Sequence, residues 1–272
     1  MTNAERIVVG TGLLALLGFV LFPIVFTVAT SLMSPEEMLS GHPHLLPEQP
    51  TLANYARALA GAPLLRFIEN SFLVSAAVTA GQLVTASLAA YAFVFLRFPG
   101  RTAFFFIVLA TMMIPWEVTL IPNYLTMVRL DWLDTYQGLI VPFLAGAFGI
   151  FLLRQAFLQI PMEVVEAAKI DGASHFWTFA RVVVPMARPG LLTLGAYTFL
   201  TTWNMYLWPL ILTNDEAMRT VQIGVGMLMF QEFTEWNTVL AGIVIVLLPS
   251  VIALALGLRF LIGGLGAGAL KG

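Results

Sequence analysis

Long apolar runs free of charged residues constrain this chain more than any other feature. They cover residues 7–32, 70–96, 102–116, 135–153, 189–214 and 236–258. The third is short, but beyond Glu117 it continues without charge to Val128. A hydrocarbon core roughly 30 Å thick needs about 20 apolar residues per helix. The runs are continuous rather than alternating, which favours helices over a β-barrel. The expected fold is all-α: a polytopic membrane protein with transmembrane helices near 7–32, 70–96, 102–128, 135–158, 189–213 and 237–260. Composition agrees, with 59% hydrophobic and 10% charged residues, against about 45–50% and 25% in soluble domains.

The basic residues predict an orientation. With the N-terminus cytoplasmic, the inner segments hold Arg6, Arg97, Arg101, Arg154, Lys169, Arg181, Arg188, Arg259 and Lys271. The outer segments hold Arg57, Arg66, Arg129 and Arg219. That asymmetry satisfies the positive-inside rule and puts both termini in the cytoplasm. The 26-residue first run exceeds a signal-peptide core, so Thr27-Val28-Ala29 is read as part of an uncleaved helix. The expected organisation is a single membrane domain over 1–272, whose longest connection is an outer loop near 33–68. Cysteine is absent, which excludes disulfides and thiolate metal sites. No basic cluster points to nucleic acid.

The polar stretch 159–188 interrupts the apolar pattern between the fourth and fifth spans. Pro161 suits a first helical turn, and Glu163 lies near a positive helix end. Val164, Val165, Ala167, Ala168 and Ile170 give an apolar surface, and Glu166 shares a face with Lys169 and Ile170. Asp171-Gly172 ends the helix, with glycine as a left-handed cap. Ser174 can cap a second short helix running to Pro185. Ala167 and Ala168 carry little bulk, so another surface can approach closely. An amphipathic helix resting on the membrane would have the same composition.

The spacing resolves that choice. Glu166-Ala167-Ala168 is followed after three residues by Gly172, and nine more lead to Val182 and Val184-Pro185. This resembles the EAA loop of ABC importer permeases, with Val replacing Ile and Leu. The resemblance implies a type I ABC importer permease fold in a bacterial inner membrane, with the loop docking on an ATPase subunit. Glu163, Glu166, Ala167, Ala168, Asp171, Gly172, Ala173 and Pro185 are the implied coupling residues. The Gly-rich tail 262–272 looks like the carbohydrate-uptake branch, typified by the smaller maltose permease subunit. Met113-Ile114-Pro115-Trp116-Glu117-Val118, Trp203-Asn204-Met205-Tyr206-Leu207-Trp208-Pro209-Leu210 and Glu235-Trp236-Asn237 are most similar to glycerol-3-phosphate permease subunits. The implied partners are a second, non-identical permease subunit, an ATPase dimer and an extracytoplasmic solute-binding protein.

Several residues are candidates for the substrate path. Glu117 is the one acid well inside an expected span. It either faces a water-filled cavity, where it touches solute or gates the path, or sits at the outer interface with the span broken at Pro115. Trp203, Asn204 and Tyr206 combine aromatic faces with an amide suited to sugar hydroxyls, although interfacial belts have the same composition. Trp203 and Tyr206, three apart, are expected to share a helix face. Gly224 and Gly226 lie in an expected outer loop, 215–235. In the maltose relative the corresponding loop enters the binding protein, so the resemblance implies that contact here; otherwise the segment reads as re-entrant or interfacial. His42, His44 and His175 lack metal-site spacing and are expected at the surface.

No cofactor and no catalytic chemistry are expected. The sequence contains no Gly-x-x-x-x-Gly-Lys-Ser/Thr phosphate loop, so ATP hydrolysis must reside on partner subunits. An ion-coupled secondary transporter is the alternative. That class usually carries several intramembrane ionisable groups and paired repeats, and neither is visible.

Overall fold

The computed structural model describes residues 3–39, 45–229 and 235–269. His42, His44 and the last three residues of the Gly-rich tail lie outside them. The described residues form helices in this order: α1 (Asn3–Ser31), α2 (Pro35–Leu39), α3 (Ala53–Gly61), α4 (Leu64–Phe95), α5 (Arg101–Thr111), α6 (Trp116–Arg129), α7 (Tyr136–Ile140), α8 (Ala147–Leu158), α9 (Met162–Ile170), α10 (His175–Thr178), α11 (Val184–Met186), α12 (Arg188–Trp203), α13 (Leu207–Leu212), α14 (Val221–Met229) and α15 (Trp236–Ala269). No strand occurs among the described residues.

The helices group into two compact units, Met1–Arg66 with Ile223–Pro249, and Phe67–Gln222 with Ser250–Gly272. In the first unit, Asn54 is fully buried and donates from Nδ2 to the carbonyls of Ser31 and Met33, each at 2.7 Å. Asn237 donates to Met33 O and Asn54 Oδ1, both at 3.2 Å. The end of α1, α3 and the start of α15 are thereby tied through side-chain amides. The rest of α1 is exposed on all sides, with apolar residues such as Leu14, Phe19 and Val20 more than half exposed. A helix apolar all round suits a hydrocarbon environment.

The second unit is built on α4. Its C-terminal half packs Ala86, Ala90, Tyr91 and Phe95 against Leu153, Phe157 and Leu194. Its N-terminal half packs Val74 and Val78 against Met127, Leu139, Trp208 and Leu212. Small residues allow close helix approach, as is common in membranes. A Cβ on Gly190 would lie 2.8 Å from that of Ala156, and one on Gly81 would lie 2.3 Å from Leu144 Cδ2.

Three expected spans are broken. The segment 102–128 divides into α5 and α6, bent by 93°. Pro115 supplies the reason: it lacks an N–H and its ring clashes with the carbonyl four residues back, where α5 ends at Thr111. The same argument applies at Pro209, whose i−4 residue, Met205, lies in the break between α12 and α13. The third break separates α7 and its following 3-10 turn (Val141–Phe143) from α8, with a bend of 44°. Here α4 satisfies the released backbone. Gln82 Nε2 donates to Phe143 O at 2.9 Å and Thr85 Oγ1 to Leu144 O at 2.7 Å. Thr198 Oγ1 donates in turn to Gln82 Oε1 at 3.2 Å. Irregular backbone at membrane depth is tolerated only when its polar groups find such partners.

Candidate functional site

The candidate coupling loop, residues 159–188, begins where α8 ends. Pro161 occupies the N-cap position with extended ψ 130°, one residue before the expected first turn. In α9, Val165 is fully buried and Ala168 is 8% exposed. Val165 joins the cluster formed by Phe157, Ile160 and Val183. Glu163, Glu166, Ala167, Lys169 and Ile170 face outward. The expectation that both alanines offer a low-profile surface is therefore corrected: Ala167 does, whereas Ala168 packs into the chain's own core. Three residues separate Val165 from Ala168, so both fall on one helix face while the carboxylates fall on the other. Glu163, Glu166 and Asp171 have no ion-pair partner among the described residues.

The helix ends as the sequence predicts. Gly172 has φ +81°, and its N–H donates to Lys169 O at 3.0 Å. The Ala173 N–H donates to Ala168 O at 2.9 Å. This pair of bonds is the Schellman cap. Ala173 is half-buried. Ser174 then caps α10, its Oγ accepting the Trp177 N–H at 3.3 Å. Helical backbone continues to Pro185 through a π-turn over Phe179–Val183. Pro185, half-buried, cannot donate to the Arg181 carbonyl, which accounts for the wider turn just before it.

Sequence reasoning missed the fastening of this second arm. Tyr91 on α4 places its hydroxyl 3.3 Å from His175 Nδ1 and meets the ring of Phe179 edge-on at 5.3 Å. His175 is exposed as expected, yet it is also tied to a membrane helix. Nothing in its local sequence signals a partner 84 residues away.

The path candidates separate on inspection. Glu117 is the second residue of α6 and is exposed, following the break at Pro115. Its neighbour Trp116 packs edge-on against Trp208 at 5.6 Å. Trp203 is 1% exposed and stacks on Phe199 at 5.8 Å, so in this chain it is a packing residue. Tyr206 is 44% exposed. The expected shared face of Trp203 and Tyr206 does not exist, because α12 ends at Trp203 and the helical period is lost before Tyr206. Asn204 is exposed and accepts from Gln222 Nε2 at 3.1 Å, which adds Gln222 to the polar group.

Gly224 and Gly226 lie in helix α14 rather than in a loop, and Gly224 is buried. The apolar residues around them sustain a helix, which outweighs the breaking tendency of two glycines. Among the described residues of this region, 214–217 form an exposed turn. Asp134 Oδ1 accepts the N–H groups of Asn214 and Asp215 at 2.5 and 2.8 Å. Buried Asn70 donates to the carbonyls of Ala217 and Arg219, both at 2.8 Å, and accepts from Tyr136 OH at 2.7 Å.

A polar loop anchored by one helical face and free on the other suits a membrane protein that must grip a second protein. The family model for the binding-protein-dependent transport system inner membrane component matches residues 82–260. The chain belongs to this family. This permease is 37% identical over 266 residues to the sn-glycerol-3-phosphate transport system permease protein UgpE of Agrobacterium fabrum, covering 93% of this chain and 94% of that one. The protein of the same description from Rhizobium meliloti is 38% identical over 257 residues, covering 90% of each. Among solved structures, a bacterial ABC transporter involved in the import of the acidic polysaccharide alginate matches with a TM-score of 0.83 and 26% identity, over 95% of this chain and 98% of that chain. The permease is thus a multi-pass membrane subunit of a binding-protein-dependent ABC importer. Such a subunit works with ATPase and solute-binding partners, and the ion-coupled alternative is not favoured. The coupling loop and all the path candidates fall within the family match.

Proposed function

We propose that this permease forms half of a translocation path for a glycerol-3-phosphate-type solute rather than a maltose-type sugar. It couples that path to ATP hydrolysis on a partner subunit through residues 159–188. The observation that carries the coupling reading is the split face of α9. Val165 and Ala168 anchor the helix, while Glu163, Glu166 and Ala167 stand free beside a glycine-capped end. The remaining dock residues, Asp171, Gly172, Ala173 and Pro185, set the turn that presents this face. The solute class is supported by relatives 35–38% identical to this chain, which are sn-glycerol-3-phosphate transport system permease proteins.

In this reading six spans cross the bilayer, three of them broken, with both termini cytoplasmic. A non-identical permease supplies the other half of the path, and an ATPase dimer engages both coupling loops. Glu117, Asn204 and Tyr206 line the path with Gln222, and Trp203 supports them from behind. The binding-protein contact falls on the exposed turn 214–217, and Gly224 is a packing residue.

The test uses the complete importer in vesicles. ATPase activity is measured with and without the loaded binding protein, alongside uptake of labelled sn-glycerol-3-phosphate and of maltose. Glu166→Ala should abolish the stimulation while the complex stays assembled. Normal stimulation in that variant would remove the loop from coupling. Uptake of maltose in preference to sn-glycerol-3-phosphate would overturn the solute assignment alone.

A further inference from the structure

A groove of about 420 Å³ lies between α4 and the second arm of the coupling loop, lined by Leu83, Val84, Leu88, Phe179, Val184 and Leu191, with Phe176 at its edge. Its one hydroxyl, on Ser87, is already donated to the Leu83 carbonyl. The interior therefore offers a polar ligand no hydrogen bond and suits an alkyl chain. Phe176 is 74% exposed, a large apolar surface left open in this chain.

Depth is informative. Leu88 and Leu83 lie about 10 and 18 Å from the α4 terminus at Phe95, at roughly 1.5 Å per residue. One leaflet of hydrocarbon is about 15 Å deep. The groove thus runs through the leaflet nearest the coupling loop.

The rim is cationic. Arg188 lies four residues after Val184 and three before Leu191, and the helical hydrogen bonds Ala187 N to Val183 O and Leu191 N to Ala187 O run through this stretch. It therefore falls on the same face as the two groove residues. Arg181, three residues before Val184 in the π-turn, adds a second guanidinium. Both are exposed and lack a hydrogen-bond or ion-pair partner among the described residues. An apolar trough one leaflet deep, ending at unpaired guanidinium groups, matches an amphiphile with an anionic phosphate head. Guanidinium binds such a head bidentately.

We propose that this groove is a binding site for an anionic phospholipid, the acyl chain seated between Leu83, Leu88 and Val184 and the phosphate held by Arg188 and Arg181. The lipid would wedge α4 against the arm that carries Pro185. The proposal rests on the membrane-surface placement of the coupling loop given above.

The chain has no native cysteine, so Leu88→Cys carries a single benzophenone on an otherwise unlabelled permease. The complete importer, with cysteine-free partner subunits, is reconstituted in equimolar phosphatidylglycerol and phosphatidylcholine and irradiated. Adducts are identified by mass spectrometry. The expected result is phosphatidylglycerol over phosphatidylcholine by about thirtyfold, the ratio that about 1 kcal/mol for each of the two arginines gives. Arg188→Gln should cut the ratio to about fivefold, Arg188→Gln together with Arg181→Gln should bring it close to one, and Arg188→Lys should keep most of it. A benzophenone at Phe106→Cys, exposed on α5 and not among the groove-lining residues, should show no such preference. Equal labelling of the two lipids at position 88 overturns the proposal. So does an adduct to the second permease, which would identify a protein as the occupant. Substrate-stimulated ATPase activity, read in the same vesicles, reports separately on the coupling assignment.

Discussion

The Tyr91 hydroxyl lies 3.3 Å from His175 Nδ1, joining a membrane helix to the second arm of the coupling loop. The hydrogen bond ties α4 to α10, and the edge-on packing of Tyr91 on Phe179 ties it to the π-turn that follows. Tyr91→Phe removes the bond and keeps the ring, at a cost of about 1 kcal/mol. Tyr91→Ala also removes the packing, for about 3–5 kcal/mol. Thermal unfolding of the purified complex should rank the variants in that order, with stimulated ATPase activity falling further in Tyr91→Ala. Equal unfolding temperatures for the two would show that the ring contacts carry no load.

Val165 and Glu166 are adjacent in sequence and opposite in role. Val165→Ala opens a cavity in the cluster around Phe157 and should cost roughly 2 kcal/mol of stability. Glu166→Ala is a substitution at an exposed site and should stay within about 0.5 kcal/mol, yet lose substrate-stimulated ATP hydrolysis. The paired measurement is unfolding temperature against stimulation. Loss of stability in Glu166→Ala would mean that the carboxylate is a structural group.

Gly172 stands at φ +81° with open space around it, so a side chain there meets backbone strain and no clash. Gly172→Ala should destabilise the cap by about 1–2 kcal/mol. Gly172→Asn should cost less, since asparagine tolerates the left-handed region. Hydrogen exchange at the amides of Gly172 and Ala173 reads the cap directly. Unchanged protection in Gly172→Ala would rule out the strain account.

Gln82 holds the break between α7 and α8. Gln82→Leu takes the donor from Phe143 O and the acceptor from the Thr198 hydroxyl. Leaving such groups unsatisfied costs about 1–3 kcal/mol each. Gln82→Glu should be no milder, because a carboxylate keeps the acceptor for Thr198 but sets a charge and a second acceptor against Phe143 O. Unfolding temperature in detergent orders the three proteins, and a Gln82→Leu variant as stable as the parent would sink the argument.

Cysteine scanning tests the path. Water-soluble thiol reagents should label cysteines at Glu117, Asn204 and Tyr206 in at least one state of the transport cycle. Trp203→Cys should resist labelling, because that position is sealed against Phe199. Labelling of position 203 alone would invert the assignment.

The sequence by itself determined what depends on local order. Apolar runs dictated helices because a backbone in hydrocarbon must satisfy its own polar groups. The cap at Gly172 and the start at Ser174 were legible because their bonds reach only a few residues. The same local logic places breaks before Pro115 and Pro209. What only the tertiary structure decided depends on side chains far apart in the chain. The anchoring of Ala168, the burial of Trp203, the tie from Tyr91 to His175 and the support of Phe143 O by Gln82 all fall in this class. Apolar composition in a membrane span is uniform around the helix, so it carries no mark of which face meets protein. Close packing, polar satisfaction and a proline's effect on the carbonyl four residues back select that face, and they act only once the helices are together.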